Sequence, residues 1–286
     1  MIFGFVREHR FRGSLAQICG AFGVSRSGYY AWLKRGATSR NRCDSELLAE
    51  IRALHKQFQG RYGRPRITDE LKARGFTCGA NRVGRLMREA GLYGKPRKKR
   101  RGTTNSEHGG RICPNLLGRR FDVSAPNQSW VSDITYIPTD AGWLYLCVVL
   151  DLYSRKVVGW STQNTLSGSI AIQALKMACD LRQPGKGLLF HSDRGIQYAS
   201  AAFQAQIERM GFLQSMSRGG NCYDNAVAES FIGSLKTEEV NDATYGTRVE
   251  ARNALFRYIE GFYNRIRRHS HNKGLSPQQF ESTTFT

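Results

Sequence analysis

Apolar and polar positions follow two different rhythms, and the change comes near residue 125. Beyond it, "WVSDITYIP" (130–138), "WLYLCVVLDLYS" (143–154) and "KVVGWST" (156–162) are short runs rich in Val, Ile, Leu and aromatics, separated by a few residues each. They predict three strands in an antiparallel meander. "LSGSIAIQALKMACDLR" (166–182) switches to helical spacing through Ile170, Ala174 and Met177. "GLLFHSD" (187–193) predicts a buried strand, "SAAFQAQIERMG" (200–211) a helix and "FLQSM" (212–216) a further strand. "DNAVAESFIGSLKTEEV" (224–240) predicts a helix with Val227, Phe231 and Leu235 on one face. The order β-β-β-α-β-α-β-α describes an α/β ribonuclease-H-like core, a mixed five-stranded sheet with flanking helices. In that order the first and fourth strands are neighbours and the last helix packs beside them.

Before residue 125 the pattern is helical. In "SLAQICGAFGVSRSGYYAWLKR" (14–35), Leu15, Ile18 and Phe22 share one face, Gly23 supplies a turn, and Ser25 caps a second helix carrying Tyr29, Trp32 and Leu33. This is a helix-turn-helix layout that would present Arg26, Ser27 and Tyr30 to a DNA groove; a plain helical hairpin fits the same spacing. A second unit, "GRYGRPRITDELKARGFTCGANRVGRLMREAGL" (60–92), places Ile67 and Leu71 on one helix face and Val83, Leu86 and Met87 on the next. Arg82, Arg85 and Arg88 recur opposite. The expected organisation is a helix-turn-helix unit over 1–50, a basic helical hairpin over 51–101, a Gly/Ser/Thr/Asn-rich linker over 102–125, and the α/β domain with a basic C-terminal helix and tail over 126–286.

Charge sharpens this division. Of the net +20, residues 1–125 hold 27 Lys/Arg against 9 Asp/Glu (+18), and residues 126–286 hold 16 against 14 (+2). "GKPRKKRR" (94–101) has six bases in eight positions, with Lys98 and Lys99 at its centre. So asymmetric a block predicts a polyanion partner, most simply double-stranded DNA. No apolar run approaches the ~20 residues of a membrane helix, and the start lacks the apolar stretch of a signal peptide. The expectation is a cytoplasmic protein without a membrane partner. The seven cysteines are dispersed, with no CxxC and no paired Cys/His spacing, which argues against a disulfide framework or a zinc module.

Placed on this layout, three acids stand out. Asp133 interrupts an apolar strand, where a charge is costly unless paired or metal-bound. Asp193 ends the fourth strand, where α/β sheets present residues to a cleft, and Gly195 lets the chain turn at once. Glu229 lies in the first turns of the last helix. Three convergent carboxylates suit Mg²⁺ or Mn²⁺, and two such ions support phosphodiester chemistry. Other acids have simpler expected roles: Asp151 pairs with Arg155, Asp224 caps, and Glu238 and Glu239 form a surface pair. His191 is expected to be a hydrogen-bonded supporting residue.

Between Asp193 and Glu229 lie 35 residues, which resembles the DD(35)E signature of retroviral integrases and related transposases. "HSDRGIQY" (191–198), "SRGGNCYDNAVAESFIGSLKTE" (217–238) and "YNRIRRHSHNKGLSPQQF" (263–280) resemble OrfB-type bacterial insertion-sequence transposases, as do "GVSRSGYYAW" (23–32) and "YGRPRI" (62–67). The resemblance spans nearly the whole chain. It implies metal-dependent cleavage and strand transfer at the ends of a mobile element, with Asp133, Asp193 and Glu229 holding the metal. It also implies that Lys236, two helical turns after Glu229, touches terminal DNA. Further candidate DNA contacts are Arg194, Asn225 and the tail bases Arg265, Arg267 and Arg268; for the tail, a basic helix end fits the same pattern. The zinc module of retroviral integrases is absent, and Ile196 stands where relatives often carry a small residue.

The expected partners are the element's terminal repeats and target DNA, a second copy of the chain on DNA, and an upstream-frame (OrfA) product. Two other readings are a DNA-binding regulator with an inactive core and a nuclease that cuts without joining.

Overall fold

The computed structural model describes residues 2–11, 13–34, 39–96, 110–219 and 221–284. The chain forms two compact units, residues 1–94 and 95–286.

The first unit is helical: α1 (Ile2–His9), α2 (Leu15–Ala21), α3 (Arg26–Lys34), α4 (Ser39–Gln57), α5 (Arg64–Ala73) and α6 (Ala80–Glu89). Ser14 and Gln17 form a reciprocal capping box that starts α2. Gly23 turns the chain at φ +63°, and the Ser25 hydroxyl accepts from the Gly28 N–H at 3.0 Å to start α3. Val6, Cys19 and Tyr29 form the small core, with Leu15, Ile18 and Trp32 packed on it. Phe22 and Leu33 lie outside it and are exposed, so the apolar stripe is narrower than the spacing predicts. Along α4, Leu47, Ile51 and Leu54 are buried at helical spacing. The helix runs straight through the expected boundary at residue 50 and packs against α5 and α6.

The second unit carries β1 (Ser129–Ile137), β2 (Leu144–Asp151), β3 (Val157–Gln163), α7 (Ser169–Arg182), β4 (Leu189–Ser192), α8 (Ile196–Ala199), α9 (Ala201–Arg209), β5 (Leu213–Met216), α10 (Ala226–Leu235), α11 (Arg248–Phe256) and α12 (Pro277–Thr284). Helix α10 follows a 3₁₀ turn (Cys222–Asn225) and continues as a wider π turn (Lys236–Val240); α11 continues likewise (Arg257–Tyr263). The sheet order is β3-β2-β1-β4-β5. Strands β1, β2 and β3 are antiparallel neighbours, and β4 is parallel to both β1 and β5. This is the ribonuclease-H-like arrangement, with the first and fourth strands side by side as expected.

One face of the sheet, through Trp130, Cys147, Val149 and Phe190, is covered by α7, α8 and α9. Helix α10 packs on β1 and β2 with Phe231, Ile232 and Leu235 buried outside that cluster. Helix α7 lies very close on β3. A Cβ at Gly159 would stand 2.7 Å from Ala178 Cβ and press on the Ala174 carbonyl. Gly159→Ala is therefore expected to destabilise the fold by about 1–3 kcal/mol, read as a lower urea midpoint with the slope unchanged.

Two expectations are corrected here. The second half of the predicted linker is built into the second unit: Leu117 is buried, and the Leu116 and Leu117 N–H groups both donate to Ser215 Oγ. Residues 102–109 lie outside the described residues. Asp151 does not take the Arg155 side chain. It is buried and accepts from Arg182 at 3.0 Å and from the Asn127 and Tyr153 N–H groups, while Arg182 also holds Glu281 of α12. The Arg155 guanidinium turns to the Phe121 carbonyl and His271 instead.

Candidate active site

The parallel ladder between β1 and β4 runs from Ser129–Leu189 to Val131–His191. Asp133 lies two residues beyond its last pair, and Asp193 directly follows the last residue of β4. Each is steadied by a nearby amide: the Ile134 N–H donates to Asp133 Oδ1 at 2.8 Å, and the Gly195 N–H to Asp193 Oδ1 at 2.9 Å. Both charges act on the same buried groups. Burial pushes the Cys147 thiol up to about 12 and the Tyr198 hydroxyl well above its ordinary range, and the Asp133 and Asp193 carboxylates add to both effects. Glu229 sits in the first turn of α10, which packs on β1. The elements bearing the three acids thus meet around β1, on which both β4 and α10 pack. Among the described residues, no three His, Cys, Asp or Glu side chains form a ready-made metal cage.

Gly195 serves the site for a different reason than the turn itself. Its backbone (φ −57°, ψ 141°) is open to any residue, but a Cβ there would come within 3.0 Å of Asp193 Oδ1. Glycine keeps the space beside the carboxylate clear.

His191, two residues before Asp193 on β4, is buried and hydrogen-bonded on both ring nitrogens, to Ser215 Oγ (2.8 Å) and Ser217 Oγ (3.2 Å). Burial lowers its pKa from 6.5 to about 4, so the fold holds it neutral. As pH falls below 6.5 the unfolded chain takes up this proton first. The associated stability is complete above 6.5 and is lost progressively down to about 4. The loss is on the order of 3 kcal/mol. Urea melts at pH 7 and 4.5 should show it, and His191→Gln should flatten the dependence.

Two further acids are not where the sequence suggests. Asp224 is fully buried and accepts from Arg218, Arg119 and Asn115, and the Arg218 guanidinium holds its carboxyl far below the usual range. It anchors the segment before α10 instead of capping the helix. Glu238 is buried rather than part of a surface pair. It accepts two bonds from Arg267 Nε and Nη2 at 2.8 and 2.7 Å, and one from the Tyr258 hydroxyl at 2.8 Å.

With this geometry in view, comparison with known proteins decides the family. The integrase core domain family matches residues 123–222, a second integrase core family matches 229–285, and an HTH-like domain family matches 42–100. Transposase InsF for insertion sequence IS3A of Escherichia coli K12 is 42% identical over 288 residues, covering 99% of each chain. The chain belongs to the IS3 family of insertion-sequence transposases. An uncharacterized 31 kDa protein of insertion element IS600 from Shigella sonnei is also 42% identical, over 92% of this chain and 97% of its own. Among solved structures, the HTLV-2 integrase catalytic core in complex with magnesium aligns at 19% identity and a TM-score of 0.41, over 54% of this chain and 96% of that one. The transposase is accordingly an enzyme of the polynucleotidyl-transfer class. No helix among the described residues is long and apolar enough to cross a membrane.

The expected DNA contacts are distributed unevenly in the transposase. Lys236 holds its ammonium 4.9 Å over the Tyr136 ring, on the strand that carries Asp133. Arg194 is half-buried, with Nε donating to the Ser217 carbonyl at 2.8 Å. Arg26 and Tyr30 are exposed along α3, and Arg265 is exposed. Arg82 and Arg85 converge on Asp44, which their hydrogen bonds hold below its ordinary pKa, Arg85 foremost. Arg268 is half-buried and donates to the Gly274 carbonyl. Arg267 and Asn225 are corrections. Arg267 points inward to Glu238, and Asn225 is buried with its amide donating to the Ser132 carbonyl, so both side chains face the interior in this arrangement. Lys98 and Lys99 lie outside the described residues.

Proposed function

We propose that Asp133, Asp193 and Glu229 hold a pair of Mg²⁺ or Mn²⁺ ions and that the transposase uses them to cut and join DNA at the ends of its element. What supports this most is the parallel pairing of β1 and β4, which runs the end of β4, just before Asp193, alongside the half of β1 that leads to Asp133, with α10 packed on β1. The donor set fits hard divalent cations, being all carboxylate oxygen. Bound there, the ions supply an activated oxygen nucleophile and stabilise the leaving oxygen.

The chain's own groups do the rest. Backbone amides fix one oxygen each of Asp133 and Asp193, Gly195 leaves room beside the carboxylate, and Lys236 offers a cation to a DNA phosphate along the β1 side. Water attack nicks the element end, and the freed 3′-OH attacks a second phosphodiester. No covalent link to the protein is needed. Two ends must be handled together, so the working form is a multimer on double-stranded DNA, with an upstream-frame product as a further partner.

The test uses labelled duplexes carrying the inverted repeats that flank the gene, incubated with wild type and Glu229→Gln, with and without Mn²⁺. Metal-dependent joined strands that vanish in the variant are expected. Nicks without joining would make the protein a nuclease. Binding with neither product would make this chain a regulator, or leave the chemistry to a fusion with the upstream frame.

A further inference from the structure

The three acid-bearing elements are tied together at one residue that carries no charge. Ser132 precedes Asp133 in β1 and is fully buried. Strand alternation turns its side chain to the opposite face from Asp133. There Ser132 Oγ shares a hydrogen bond of 2.8 Å with the Tyr198 hydroxyl, and both lie 3.6 Å from Cys147 Sγ on the neighbouring strand. Tyr198 belongs to α8, the short helix that begins three residues after Asp193. The main-chain carbonyl of Ser132 has a separate partner: it accepts from Asn225 Nδ2 at 3.0 Å. Asn225 stands one helical turn before Glu229, and it too is buried. Its Oδ1 has no hydrogen-bond partner, so the carbonyl of Ser132 accounts for the orientation of the whole amide.

We propose that Ser132 is a positioning residue that sets the spacing of the three carboxylates, bracing the Asp193 turn through Tyr198 and the Glu229 helix through Asn225. This rests on the reading of Asp133, Asp193 and Glu229 as metal ligands and adds what holds them in register. The physical need is clear from the ladder. Paired backbone joins β1 to β4 only as far as Val131–His191. Beyond it the Asp193 turn and the start of α10 have no shared strand bonds with β1. The Tyr198 and Asn225 bonds replace them, from below the sheet and from the helix side. The Cys147 thiol, protonated because burial raises it, closes the hydroxyl pair without adding charge beneath the acids.

Tyr198→Phe removes one hydroxyl while keeping the packed ring. Ser132→Ala removes the same bond from the other side, and Asn225→Ala frees the carbonyl. Full-length protein is titrated with Mn²⁺ by electron paramagnetic resonance of the free ion, with Asp193→Asn as reference and thermal melts recorded alongside. The expected result is a Mn²⁺ site that Asp193→Asn abolishes and that each brace variant weakens by about tenfold or more. Tyr198→Phe with Ser132→Ala should cost clearly less than the sum of the two, because they share the Ser132–Tyr198 bond. A brace that only stabilises the fold would lower the melting midpoint and leave Mn²⁺ affinity at the wild-type value below it. That outcome, with Asp193→Asn still abolishing binding, overturns the brace and leaves the triad standing. Wild-type Mn²⁺ affinity retained in Asp193→Asn removes the triad reading and the brace with it. Should Ser132→Ala not fold, Tyr198→Phe decides alone.

Discussion

Asp193→Asn is expected to abolish strand cleavage while DNA affinity stays at the wild-type level or rises slightly. The substitution is nearly isosteric, and its amide oxygen can still accept the Gly195 N–H that steadies Asp193 Oδ1. What it loses is a negative charge and a hard oxygen at the end of β4. If that oxygen holds metal, several kcal/mol of transition-state stabilisation go with it, a loss of at least about 10³-fold in rate. Binding should not follow, because affinity for a duplex comes mostly from phosphate contacts and removing an acid beside the DNA path only reduces repulsion. A gel-based cleavage assay and fluorescence anisotropy on the same duplex separate the two quantities. Joint loss of cleavage and binding in a folded variant would count against this division of labour.

The second large effect concerns stability. Arg267→Met is expected to cost about 3–5 kcal/mol, because it strands Glu238 in the interior without its cation. Burial alone would lower the Arg267 pKa, yet the Glu238 hydrogen bonds hold it above its ordinary value. The guanidinium also donates to Ser234 Oγ at 3.0 Å and lies over the Tyr263 ring. It thereby binds the π turn that extends α10 to the one that extends α11. Arg267→Met combined with Glu238→Gln removes both charges and should recover much of the loss. Chemical denaturation of the single and double variants measures this directly. A single variant within 1 kcal/mol of wild type would mean that the pair is solvated in solution.

The sheet was legible because its strands are short apolar runs bounded by turn residues, and their order leaves few ways to connect them. Asp133 and Asp193 were legible for the same reason: each interrupts or ends such a run. Helix α4 shows the limit of local reading. Leu47, Ile51 and Leu54 have plain helical spacing, but a domain boundary set by composition cuts through them. The tail bases show another. Arg265, Arg267 and Arg268 look alike in a charge run, yet Arg267, in the irregular stretch after the helix, faces inward, and its partner Glu238 is 29 residues away. Nor does the motif containing Asn225 reveal that its amide reaches 93 residues back to Ser132. Such pairs depend on tertiary closure, which no window along the chain contains.

The central claim is that three carboxylates from β1, β4 and α10 hold the catalytic metal. Its most direct test is a crystal structure of the transposase on terminal-repeat DNA soaked in Mn²⁺, read by anomalous scattering. The account predicts anomalous peaks bounded by Asp133, Asp193 and Glu229, next to a DNA phosphate. Ordered DNA beside these three residues with Mn²⁺ held only by others would contradict it.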